Sequence, residues 1–177
     1  MSLPLAISTS RLQLRWLEIG DAAFIFRLLT DADWLRFIGD RGVADLDGAR
    51  RYLETGPLEM YRERGFGLNR VAFKADDTPI GICGILQRDN LADVDLGFAF
   101  LPEFRGRGYA LEAASAVLDH ARETLGIERV VAIVAAQNAA SIGLLEKLGF
   151  AYENEFSRDS GAPPVGLYGI DLSVRRT

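Results

Sequence analysis

A single cysteine, Cys83, and a single histidine, His120, stand in a chain of 177 residues. One thiol forms no intramolecular disulfide, and one thiol with one imidazole is too small a set for a Cys/His zinc site. No run of eighteen apolar residues occurs, so no membrane-spanning helix is expected. The start, Met1-Ser-Leu-Pro-Leu-Ala-Ile-Ser8, lacks the basic segment and apolar stretch of a secretory leader, and a cytoplasmic location is the expectation. No Gly-Lys pair exists for a Walker phosphate loop, and no Gly-x-Ser-x-Gly exists for a nucleophile elbow. Lysine is scarce as well: Lys74 and Lys147 leave arginine as the remainder of 20 basic residues, a bias associated with GC-rich bacterial genomes.

What is present is ordinary globular material, 49% hydrophobic and 25% charged. A chain this long supports one full core, and nothing resembles a linker or repeat, so residues 1–177 are expected to be a single domain. Its net charge of −5 argues against a nucleic-acid groove and suits a cationic acceptor.

Periodicity outlines the elements. Arg11–Trp16 alternates as a strand, and Gly20-Asp21 opens a helix with Ala22, Phe24, Ile25, Leu28 and Leu29. A second helix begins near Asp45 or Asp47 and meets a break at Gly56-Pro57. Leu68–Lys74 and Ile80–Leu86 form a hairpin across Asp76–Pro79, and Val94–Phe100 follows as a third strand. A helix then runs from Ala110 to Leu125 and stops at Gly126. Val130–Ala135 reads as a doubly buried strand, and a helix from Asn138 turns Ile142, Leu145 and Leu148 inward before stopping at Gly149. Strands Tyr152–Phe156 and Leu167–Leu172 close the chain. This order implies an α/β fold whose mixed, mostly antiparallel sheet is parallel across 94–100 and 130–135.

The sharpest local feature is Phe104-Arg-Gly-Arg-Gly-Tyr-Ala110, between a strand and a helix. Glycines permit close backbone approach, and a helix N-terminus offers unpaired N–H groups to a pyrophosphate. A solvated glycine-rich turn fits the six residues Arg105–Ala110 equally. The dinucleotide fingerprint does not, because Leu111 occupies the third small position and five residues separate strand from turn. A nicotinamide-dependent oxidoreductase is accordingly disfavoured.

Arg105-Gly-Arg-Gly108-Tyr-Ala110 resembles the (Gln/Arg)-x-x-Gly-x-(Gly/Ala) motif of the GNAT acetyltransferase superfamily. Asp95–Phe104 is similar to that family's fourth strand, and Asn138-Ala-Ala-Ser141 through Leu148-Gly-Phe150 to its second motif. The opening Thr9–Arg15 is similar to the RimJ/RimL-like branch, which acetylates ribosomal-protein N-termini. The resemblance spans nearly the whole chain and implies acetyl-CoA as co-substrate, no metal and an amine acceptor, either a protein N-terminus or a small cationic amine. It also allows a homodimer.

Carried over, the resemblance implies splayed central strands, with backbone of Phe98 and Phe100 bonding the pantetheine arm. Amides of Arg105, Gly106, Arg107, Gly108, Tyr109 and Ala110 would hold the pyrophosphate, and Asn138 would contact the cofactor arm. Asn138 also suits a helix N-cap. The implied chemistry is attack of a neutral amine on a thioester. An α-amine, with a pKa of about 7.7–8.0 against about 10.4 for lysine, needs only modest base assistance. Leu145 stands where many family members carry a tyrosine acid. The branch's alternative is a motif serine and a glutamate after Gly-Phe, which implies Ser141 as acid and Glu153 as base. Strand alternation would place Glu153 and Glu155 on one face. Asp93, Asp95 and Glu103 are competing carboxylates, each read as a solvated turn residue. Trp34, Phe37, Tyr61 and Phe66 are candidates for an acceptor pocket within Asp31–Gly67. A non-catalytic acyl-CoA-binding module with the same fold is the alternative.

Overall fold

The alternating apolar positions Leu12 and Leu14 are fully buried in strand β2 (Leu12–Trp16), which pairs with the short β1 (Ile7–Ser8). The computed structural model describes residues 6–158 and 161–173. After β2, α1 (Ala22–Leu29) buries Ala22, Ile25, Leu28 and Leu29 along one stripe. A short helix that periodicity does not reveal, α2 (Ala32–Phe37), starts where the Asp31 carboxylate accepts from the amides of Asp33 and Trp34. The break at Gly56-Pro57 divides two helices, α3 (Leu46–Thr55) and α4 (Pro57–Arg64), with Pro57 at the first position of the second.

Strands β3 (Leu68–Phe73), β4 (Pro79–Leu86) and β5 (Asp95–Phe100) form an antiparallel meander. Helix α5 (Tyr109–Glu123) leads to β6 (Arg129–Val134), and α6 (Ala139–Leu148) leads to β7 (Ala151–Phe156) and β8 (Val165–Asp171). The eight strands lie in the order β1-β2-β3-β4-β5-β6-β8-β7. Helices cover both faces. Val71, Ile85 and Leu96 pack with Val117 of α5 and Leu145 of α6, whereas Leu68 and Ile82 pack with Ile25, Leu28 and Leu53 of the early helices.

One parallel junction shapes the middle of the sheet. β5 and β6 pair only at Asp95 opposite Val131, where the Val131 N–H donates to the Val94 carbonyl at 2.9 Å. Beyond that point the strands separate, and the sheet opens into a wedge.

Candidate active site

The Val94 carbonyl faces β6, so strand alternation turns the backbone groups of Leu96, Phe98 and Phe100 to the same side. Past the junction no strand among the described residues pairs with that edge, and an unpaired edge accepts an extended ligand as an added strand. Phe98 lines the cleft inside the wedge, whereas the Phe100 side chain is core.

At the far end of β5 the chain turns into α5. Gly106 and Gly108 both take left-handed backbone, φ 71° and 83°, the conformation that favours glycine. A Cβ on Gly106 would meet nothing within 4 Å, and one on Gly108 only an Arg11 nitrogen at 3.5 Å, so the turn is open to a ligand. Tyr109 and Ala110 begin α5 there, with amides free of intrahelical partners. Arg105 does not lend its charge to this site. Its guanidinium bonds the carboxylates of Asp31 (2.7 Å) and Asp33, and its Nε donates to the Phe100 carbonyl at 2.9 Å. It therefore clamps the start of α2 to the end of β5. Arg107 is exposed, and its carbonyl accepts from Arg11.

The opposite end of the wedge holds a buried acid. Asp95 is 1% exposed, lines the cleft and meets Arg88, whose Nε lies 3.1 and 3.0 Å from its two oxygens. Burial pushes this carboxyl above the usual carboxylate range, and the Arg88 cation pulls it back only in part. The reading of Asp95 as a solvated turn residue is thus corrected: its place at the start of β5 turns it inward. The cleft encloses about 670 Å³. Trp34, Phe37 and Ile38 from α2 and its end, with Tyr52 of α3 and Met60 of α4, form its apolar wall. Tyr61 and Phe66 are not in that wall. The Tyr61 hydroxyl donates to the Leu68 carbonyl, accepts from the Leu17 amide at 2.9 Å, and its ring stacks on Trp16 at 4.4 Å. Phe66 packs against the hydrophobic core.

From the other side, α6 brings Asn138, Ser141 and Leu145 to the cleft. The Asn138 carbonyl oxygen caps the helix by accepting from the Ser141 amide at 3.2 Å. Glu153 is elsewhere. A bulge in β7 sets Tyr152 opposite Tyr168 and Asn154 opposite Leu167, leaving Glu153 as the extra residue. Its carboxylate bonds Arg129 at 2.7 Å, and Arg129 also holds Asp93 at 2.9 Å. Glu153 does not line the cleft. The bulge also cancels the simple alternation expected of Glu153 and Glu155, because Asn154 now takes the face of Leu167.

The family model for the acetyltransferase (GNAT) domain matches residues 11–151. The chain belongs to the GNAT acetyltransferase family. It is 28% identical over 170 residues to YoaA, an uncharacterized N-acetyltransferase of Bacillus subtilis (strain 168), covering 93% of this chain and 95% of that one. The crystal structure of an acetyltransferase from Agrobacterium tumefaciens str. C58 superposes with a TM-score of 0.79 at 25% identity, covering 96% of this chain and 95% of the other. RimL, a ribosomal L7/L12 alpha-N-protein acetyltransferase solved with coenzyme A, shares the fold with a TM-score of 0.77 at 16% identity, over 95% and 98% of the two chains. This GNAT protein is an acetyl-CoA-dependent N-acetyltransferase. Its unpaired β5 edge and open α5 N-terminus offer the donors and acceptors that an extended, pyrophosphate-bearing co-substrate requires.

Three cleft residues of this GNAT chain escape sequence reasoning: Arg41, Arg88 and Arg158. Each sits in an irregular segment without periodicity, and only the fold brings them to the cleft that Asp95 also lines.

Proposed function

We propose that the protein moves the acetyl group of acetyl-CoA to a primary amine by direct attack within a ternary complex, with Asp95 as the proton acceptor. The observation that carries this reading is the position of Asp95, a buried carboxylate at the apex of the β5/β6 wedge and in the wall of the cleft. Acetyl-CoA supplies the activated thioester carbonyl. The β5 edge at Phe98 and the Phe100 amide take its pantetheine arm, and the amides of residues 105–110 take its pyrophosphate. Asp95 receives the proton that the amine loses as its nitrogen forms the new bond to carbon. The carbon–sulfur bond breaks, Ser141 relays a proton to the departing thiolate and regains one from solvent, and Asp95 releases the amine's proton to solvent. That thiolate resembles a cysteine thiolate, of pKa about 8.5, so a weak acid suffices. Asn138 fixes the first turn of α6 and with it Ser141.

Raised basicity is what this role needs, because a base works best with a pKa near the working pH. The expected test result is steady coenzyme A release from acetyl-CoA with a primary amine, reduced about 100-fold or more in Asp95→Asn. Acetyl-CoA binding without turnover on any amine would leave an acyl-CoA-binding module in place of the catalyst.

A further inference from the structure

The net charge of −5 is not spread evenly, and the cleft reverses it. Three arginines, Arg41, Arg88 and Arg158, line it against one acid, Asp95. Most of their donors are unspent. Arg88 uses its Nε on Asp95, and its terminal nitrogens make no hydrogen bond among the described residues. Arg41 is exposed and has no ion-pair partner among the described residues. Among the described residues the Nε of Arg158 is buried without a partner, and so is the indole Nε1 of Trp34, a residue only 6% exposed. A buried donor without an acceptor is costly, and two in one cleft call for oxygen from a ligand. Arg41 and Arg88 also flank Tyr52, whose buried phenol both cations draw back from the rise that burial causes.

Arg88 is poorly placed for the cofactor's phosphates. The glycine turn that suits a pyrophosphate follows Phe100, whereas Arg88 meets Asp95 at the other end of β5, roughly 17 Å away at the strand rise. The anion that answers Arg88 therefore belongs to the acceptor.

Resting on the acetyl-transfer reading above, we propose that the acceptor is an anionic amine. It would carry a carboxylate or phosphate a few bonds from its primary amine, with Arg41, Arg88 and Arg158 holding the anion while Asp95 faces the amine. A polyamine would place its second cation among three arginines.

The test is calorimetric binding to the full chain saturated with coenzyme A, which fills the cofactor site. The probes are L-phenylalanine against L-phenylalaninamide, O-phosphoethanolamine against ethanolamine, and spermidine. At least one anionic probe should bind ten-fold or more tightly than its neutral partner and more tightly than spermidine. Carboxylate and phosphate arms identify which anion is preferred. Arg41→Gln and Arg158→Gln, both in loops, should each erase five-fold or more of that preference and leave the neutral probe within twofold. Equal binding of both members of each pair, tighter spermidine, or no binding of any anion overturns the proposal. If the anionic probes bind as stated but release no coenzyme A from acetyl-CoA, the charge preference stands and the catalytic reading falls.

Discussion

Two buried aspartates on the same side of the sheet show what separates a structural acid from a reactive one. Asp21, 7% exposed, is saturated: Arg15 reaches both its oxygens at 2.9 Å, the Glu18 amide donates at 2.9 Å, and Arg70 ion-pairs at 3.3 Å. Arg70 is in turn held by Asp77 at 2.8 Å, so the charges close on themselves beneath α1. Asp95 is more deeply buried yet has one cationic partner, and that arginine is 35% exposed and approaches through a single nitrogen. Its remaining acceptor capacity opens onto the cleft. Burial with full pairing locks geometry; burial with partial pairing beside a cavity raises basicity and leaves a lone pair to use.

The contrast breaks most visibly by exchanging each acid for its amide. Asp95→Asn should lower kcat/KM about 100-fold or more, measured by coenzyme A release, without loss of thermal stability at neutral pH. The sign follows from linkage. A carboxyl whose folded pKa is raised binds more protons folded than unfolded, so it weakens the fold as pH rises from about 3.9 through the raised value. Removing it should therefore hold or raise Tm, with the gap between variant and parent widening across that window. Asp21→Asn should do the reverse, costing about 3 to 5 kcal/mol by denaturant unfolding because it strands buried Arg70 and unpairs Arg15. Its folded fraction should keep kcat/KM within about threefold, since general-base loss alone carries the larger penalty.

Smaller effects sharpen the picture. Arg105→Gln should raise KM for acetyl-CoA several-fold with little change in kcat, because it releases the clamp between α2 and the cofactor turn and not a reacting group. Glu153→Gln should change kcat/KM less than about twofold and stability by about 1 kcal/mol or less, the scale of a half-exposed ion pair with Arg129. A ten-fold loss in the Glu153 variant would return the base to β7.

Much of this scaffold is legible in the residues because long elements carry strong periodic signals. The buried stripe of α5, Ala113, Ala114, Val117, Leu118 and Ala121, and the apolar run of β6 stand where spacing puts them, and the Asn138 cap works as an Asn before a helix should. Helix α2 was hidden because Ala32–Phe37 is shorter than two turns, too brief for a face to show, although Asp31 is an ordinary cap. Strand β7 concealed a bulge, and one extra residue is enough to redirect Glu153 toward Arg129. Asp95 and the three arginines of the cleft come from loops and strand ends, where neither spacing nor alternation indicates depth. Burial there is decided by the parallel junction with Val131, a contact made across the whole of α5.

The most direct measurement is the pH dependence of kcat/KM for the parent and Asp95→Asn with one acceptor amine. The parent should fall on the acid side through the raised ionisation of Asp95 together with that of the amine. In Asp95→Asn the rate should drop about 100-fold or more near neutral pH and rise with the slope of amine deprotonation alone. A variant within threefold of the parent, with an unchanged profile, would contradict the assignment of Asp95 as the proton acceptor.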